Sequence, residues 1–269
     1  MTTPDPSRVF SVLAREALAD ALRRRLVLAI AVASLLSLQA VNSCTSCGTA
    51  TIVRDGRVVE MPQVAGMGAL TVMIACALWT VLLAGFLASD HLAEPLDDGS
   101  AALTLARPVG RGRFALARLA GALAIALGSG ALLLLATGGL LHARQGLPWW
   151  PALPAFAACA AGAATVGALA MLASLYLPRI ATVLLVMMGV AGIAAVNVSA
   201  LFGAELGGLA GAVQRFGPPL VSPVALALRD WIAPTAVPGD ALTLALRQIA
   251  WMLASAAALV HAFRRVDLD

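Results

Sequence analysis

Uncharged apolar stretches of membrane-crossing length alternate along this chain with short charged ones. Residues 66–88, 119–141, 152–178 and 180–204 contain no Asp, Glu, Lys or Arg. Each reaches the roughly 20 residues needed to cross a hydrocarbon core of about 30 Å. Two further stretches qualify less cleanly: residues 26–41, which extend uncharged to Cys47, and residues 241–263, interrupted by Arg247. The pattern predicts an all-α membrane protein with six transmembrane helices at about 26–45, 66–88, 115–141, 152–177, 180–203 and 241–263. The residues before 26 are too many and too mixed for the basic leader of a secretory signal, so 26–45 is read as a retained span.

Residues 1–25 form a separate amphipathic segment ahead of the domain at 26–269. Within it Val9, Phe10, Leu13, Ala17, Leu18, Ala21 and Leu22 recur near one helical face, with Arg8, Arg15, Glu16, Asp20 and Arg23 mostly on the other. Such a helix lies in the membrane interface or packs on a partner. Arg23, Arg24 and Arg25 then anchor the start of the first span.

The third and fourth spans are rich in Gly and Ala, the third carrying Gly121, Gly128, Gly130, Gly138 and Gly139. Small residues let helix backbones approach closely in lipid, which predicts that these two spans lie inside the bundle or at a subunit interface. Trp149 and Trp150, between Pro148 and Pro151, mark a membrane edge. Residues 204–240 are apolar yet broken by Pro218, Pro219, Pro223, Pro234 and Pro238. They are too interrupted to span and too apolar to float. Two short external re-entrant helices, at about 206–216 and 223–231, are expected, as a cap over the bundle or a lid on a pathway.

Composition agrees with this class: 269 residues, 61% hydrophobic and 12% charged, with a mean hydropathy of +0.91. All 18 basic residues are arginine. Without lysine there is no Walker A lysine, Schiff-base lysine or serine–lysine dyad, so the chain has no P-loop ATPase site of its own. With the N-terminus inside, Arg8, Arg15, Arg23, Arg24, Arg25, Arg107, Arg111, Arg113, Arg118, Arg179, Arg264 and Arg265 fall inside. Arg54, Arg57, Arg144, Arg215, Arg229 and Arg247 fall outside. The positive-inside rule therefore places both termini in the cytoplasm, in a multi-pass protein of the cytoplasmic membrane. The net charge of +4 reflects this topology and gives no support to nucleic-acid binding.

Candidate chemistry is sparse. Ionisable groups inside spans are costly and kept for function, and here the interiors carry almost none, which disfavours an ion-coupled carrier. Arg247 is expected to snorkel from the outer end of the last span, and Glu205 lies at the outer end of the fifth. Asn197, Ser199, Ser129 and Thr137 are expected to be helix-packing contacts. His91, His142 and His261 sit at span ends on both sides and cannot converge on one metal or serine. Cys44 and Cys47 are weak metal candidates that can equally close a small disulfide or do neither. Cys76 and Cys159 read as small core residues.

Residues 89–113, between the second and third spans, are the exception. Asp90, Glu94, Asp97 and Asp98 come first, then a short apolar run, then Arg107, Arg111, Arg113 and, just beyond, Arg118. A simple connection needs little of this. Asp97 and Asp98 suit the start of a short helix, Leu103 and Leu105 offer apolar knobs, and Pro108 stops it.

The segment LDDGSAALTLARPVGRGRFALARLAG, the helix ending AREALADALRRRL, the six spans and the apolar loop before the last span together resemble the permease subunit of ABC-2 type (type V) ABC exporters. The permease of nitrous-oxide-reductase maturation transporters is the nearest in pattern. The resemblance implies that residues 7–25, including Phe10, Leu13, Leu18, Arg23, Arg24 and Arg25, are an elbow helix. It implies a cytoplasmic coupling helix at about 93–105 that docks on an ATPase. Glu94, Asp97, Asp98, Gly99, Ser100, Leu103, Leu105, Arg107, Pro108 and Arg111 then belong to that ATPase-coupling region. It implies a second permease copy or a sister permease, and ATP and Mg bound by the partner ATPase, so that this chain is not itself an enzyme. Arg118 stands where such permeases often have lysine, and Cys44 and Cys47 are not part of the pattern. The substrate pathway is not assigned to residues. The alternative is a scaffold that recruits a cytosolic partner without transport.

Overall fold

In the computed structural model the described residues are 6–23, 32, 34–36, 39, 53–54, 57–58, 61–97, 110–231 and 240–265. The predicted first span, Cys44, Cys47, Arg24 and Arg25 lie almost wholly outside them. So does the island from Asp98 through Gly99, Ser100, Leu103, Leu105, Arg107 and Pro108.

The regular structure of the described residues is helical apart from a two-residue antiparallel pairing of β1 (Val53–Arg54) with β2 (Arg57–Val58). The long helices are α1 (Pro6–Arg23), α2 (Met61–Asp97), α3 (Arg111–Gln145), α4 (Ala152–Ala173), α5 (Arg179–Leu201) and α8 (Ala241–Arg265). Between α5 and α8 come the short α6 (Gly208–Phe216), α7 (Ser222–Ala227) and a 3-10 turn at Arg229–Trp231. Five helices, α2, α3, α4, α5 and α8, are long and apolar enough to cross a membrane. This is the architecture of a multi-pass membrane protein.

Helix α2 overruns its expected span of 66–88 by nine residues at its C-terminal end. No proline or glycine lies between the apolar segment and Pro95, so Leu92, Ala93 and Glu94 continue its turns, and the helix closes two residues past Pro95 at Asp97, a residue the sequence pattern put at the start of the next helix. At about 1.5 Å per residue, α2 and α3 are each more than 50 Å long, well beyond a hydrocarbon core of about 30 Å. Gly146 terminates α3 with a left-handed φ of 68° and donates its N–H to His142 O at 3.0 Å, a helix end that favours glycine.

The bundle is built around α4, which touches α2, α3, α5, α7 and α8. Its buried face runs through Ala155, Cys159, Gly162, Ala163, Val166, Gly167 and Ala170. Lipid gives no hydrophobic push between helices, so close backbone packing carries the association. A Cβ on Gly85 of α2 would lie 2.6 Å from Val186 Cγ1 of α5 and 3.2 Å from Val166 Cγ1 of α4. A Cβ on Gly138 of α3 would lie 2.8 Å from that of Ala152. The expected inner placement of the Gly- and Ala-rich spans holds for Gly121, Gly130 and Gly138, which are buried, whereas Gly128 and Gly139 face open space.

Helix α1 packs along α3. Leu13 is buried, with Phe10 and Leu18 packed against the core, while Val12, Arg15 and Glu16 are exposed. The apolar stripe expected at Phe10, Leu13 and Leu18 thus faces the protein's own bundle.

Candidate functional site

Two ends of the bundle carry polar structure, and side-chain bonds fix which helix termini share each end. At one end Arg179 Nη2 of α5 pairs with Asp90 Oδ2 of α2 at 2.7 Å. Arg111 Nη1, at the first residue of α3, donates to the carbonyl of Arg264 near the end of α8 at 3.4 Å. The Phe114 and Phe263 rings stack with centroids 6.0 Å apart, and the Arg118 guanidinium lies 5.4 Å from the Phe114 centroid, a favourable cation–π approach. The end of α2 and the start of α3 therefore belong to one arginine-rich face, which carries Arg111, Arg113, Arg118, Arg179, Arg264 and Arg265. Of the island residues, Glu94 and Asp97 fall in the last turn of α2 and Arg111 opens α3.

At the opposite end the segment from Ala204 to Trp231 folds back into the bundle. Helices α6 and α7 fall close to the expected 206–216 and 223–231, with the second divided into α7 and the 3-10 turn. The turn between them is buried at Gly217, Pro218, Pro219, Leu220, Val221 and Ser222, and Val224, Ala225 and Leu228 follow. Prolines suit a place where regular helical bonding is interrupted, but the carbonyls left there need partners when water is excluded.

Side chains from two spans supply them. Arg247 Nη1 of α8 donates to Gln214 O at 3.2 Å and Arg215 O at 2.8 Å. One turn later Trp251 Nε1 donates to Phe216 O at 2.7 Å. These are three consecutive carbonyls at the C-terminus of α6, the orphan acceptors of any helix end, and a cation there also complements the helix dipole. Gln248, 4% exposed, lies between Pro219 O and Gly162 N. With its nitrogen towards the carbonyl at 2.7 Å and its oxygen towards the N–H at 2.8 Å, both groups are satisfied. From α5, Asn197 Oδ1 accepts from Val221 N at 3.3 Å and Ser222 Oγ at 3.5 Å, while its Nδ2 donates to Ile193 O at 2.9 Å. Gln214 ties the start of the segment, accepting from Leu206 N and donating to Ala204 O at 2.8 Å. Trp231 Nε1 ties its end to Pro148 O at 2.9 Å.

One expectation changes here. Arg247 does not simply snorkel: its guanidinium turns to the end of α6, because carbonyls there attract it where lipid cannot. Asn197 is a helix-packing contact, as expected, and its partner is the turn that starts α7. Ser129 and Ser199 do stay local, donating to Ala126 O at 3.1 Å and Val196 O at 2.9 Å in their own helices. The signal for this seat was present as Arg247, Gln248 and Trp251 within one turn of an apolar span, together with the single amide Asn197 in another.

Other chemistry is thin. Among the described residues no three His, Cys, Asp or Glu side chains converge as a metal site. Cys76 and Cys159 are buried thiols, as expected of small core residues. His142 Nδ1 lies 2.8 Å from Leu147 O, in the connection after α3. The arrangement binds and positions backbone; it presents no nucleophile with a base beside it. Compared with known proteins, the sequence matches no family model and no curated protein.

Proposed function

We propose that this chain is the membrane permease subunit of an ATP-driven exporter of the ABC-2 type, moving a substrate across the cytoplasmic membrane with energy from a separate ATPase. The observation that carries the reading is the island between α2 and α3. Acids at Asp90, Glu94, Asp97 and Asp98 precede arginines at Arg107, Arg111 and Arg113, on the face where Arg179 and Arg264 also gather. Positive-inside bias makes that face cytoplasmic. Helix α2 continues beyond its apolar segment into the island and α3 begins with it, so a force applied there acts directly on two of the most buried spans.

Three features support a partner-driven machine. The chain has no lysine for a nucleotide site, and its described spans present few ionisable groups to couple to protons or sodium. The re-entrant element is seated at the opposite face, where a gate to the outside belongs. In this reading α1 is the elbow helix, two permease subunits assemble with two ATPases, and ATP and Mg bind to the ATPases.

Purification of the tagged full chain from its native membrane in mild detergent tests the assignment. A stoichiometric P-loop ATPase that co-elutes supports it. Its absence, with the chain intact and monodisperse, contradicts it.

A further inference from the structure

Helix α8 is gripped at both ends by different parts of the chain. On the arginine face the grip is the first turn of α3: Arg111 bonds to Arg264 O, Phe114 stacks on Phe263, and a Cβ on Gly112 would come within 2.8 Å of Val260 Cγ1. On the other face Arg247, Gln248 and Trp251 hold the carbonyls of Gln214, Arg215, Phe216 and Pro219. From one grip to the other α8 buries a single stripe, Gln248, Ser255, Leu259 and Phe263, of which Ser255 and Leu259 lie between the grips. Ile249 and Leu253 face outward, 46% and 61% exposed.

A helix keeps its rise per residue because each backbone bond closes on the next turn, so Trp251 and Phe263 stay about 18 Å apart along the axis. Held at two ends and along one stripe, α8 transmits axial movement better than it absorbs it. Close packing such as that of Gly112 against Val260 is poorly compressible and passes strain on.

We propose that α8 is a strut that carries displacement of the first turn of α3, where the island joins the bundle, to the buried turn at 217–222 on the opposite face. Arg247, Gln248 and Trp251 are its positioning residues there. The exporter reading supplies only the source of the displacement; the link itself is a property of this chain alone.

The test uses the full chain in nanodiscs without an ATPase. The native cysteines are replaced, Leu220→Cys is introduced as a reporter in the buried turn, and its rate of reaction with a membrane-impermeant maleimide is measured. Gly112→Leu forces α3 from α8 at the clamp and is expected to change that rate about fivefold or more, the lower range of coupling between distant sites. Gly128→Leu, where a Cβ meets nothing within 4 Å, leaves it unchanged. Arg111→Ala loosens the same clamp without added bulk and shifts the rate in the same sense; it decides the matter alone where Gly112→Leu does not fold. Labelling unchanged by the folded clamp variants overturns the strut. A normal labelling response in a chain that binds no ATPase overturns the exporter reading and leaves the strut standing.

Discussion

Arg247 donates to the carbonyl oxygen of Arg215 at 2.8 Å, 32 residues earlier in the chain. The same guanidinium nitrogen reaches Gln214 O at 3.2 Å, so one cation serves two carbonyls at the end of α6. Charged hydrogen bonds of this kind contribute more than neutral ones. Arg247→Leu is expected to lower stability by about 1–3 kcal/mol, read as a fall in Tm in nanodiscs. Arg247→Lys restores part, because a single ammonium nitrogen can also donate to two carbonyls but sits on a shorter side chain. An unchanged Tm in Arg247→Leu would return the residue to a lipid-facing, snorkelling role.

Asn197 tests the seat from the other span. Asn197→Leu keeps the branching at Cγ and the number of side-chain heavy atoms but leaves Val221 N–H and the Ser222 hydroxyl without their acceptor. An unsatisfied buried donor costs about 1–3 kcal/mol. Faster amide hydrogen exchange at 220–224 is expected, with the middle of α4 protected as before. Equal exchange in both segments would show that the turn needs no support from α5.

Gly85 tests the packing of α2 on α4 and α5. Its Cβ would meet Val186 Cγ1 at 2.6 Å, so Gly85→Ala is expected to destabilise by about 1–3 kcal/mol through overpacking. Val186→Ala makes room, and the double variant should recover most of the loss, giving a coupling energy in a thermal-unfolding cycle. Purely additive effects would mean that these helices do not meet there.

The start of α8 carries a pH-dependent contact. Asp240 accepts from the Thr243 hydroxyl at 2.9 Å and from the N–H groups of Leu242 and Thr243 at 3.4 and 3.3 Å. The hydroxyl first, then the two amides, hold its carboxyl below the usual range. A lowered folded-state value means that this capping contribution is fully present above the unfolded value of about 3.9. It is lost as pH falls through the lower folded value. Thr243→Val should move the Asp240 titration, followed by carboxyl carbon NMR, back towards the ordinary range. Identical titrations in the two proteins would remove the hydroxyl from the account.

The spans were legible in the sequence because uncharged length alone specifies them: the described helices α3, α4, α5 and α8 match their expected segments to within four residues at each end. The short helices α6 and α7 were legible too, since proline interruption inside an apolar segment breaks it into short pieces. The partners of Arg247 and Asn197 were not, because both bonds join residues far apart in sequence, and periodicity within one helix says nothing about them. The length of α2 beyond its apolar segment was not legible for a related reason: apolar length marks only where lipid ends, and a helix can continue past it. Pairing of Asp90 with Arg179 follows from topology once both are assigned to one side, though only the packing of α2 on α5 brings them to 2.7 Å.

Co-purification of the ATPase with the double variant Asp97→Arg, Asp98→Arg, beside the unaltered chain, tests directly whether the island is where the ATPase attaches. Both forms should insert equally and remain monodisperse in detergent. The exporter account expects the variant to lose the ATPase, by roughly tenfold or more in recovered complex for two reversed charges at a docking surface. An ATPase retained at full stoichiometry by the variant would contradict the island as the point of attachment.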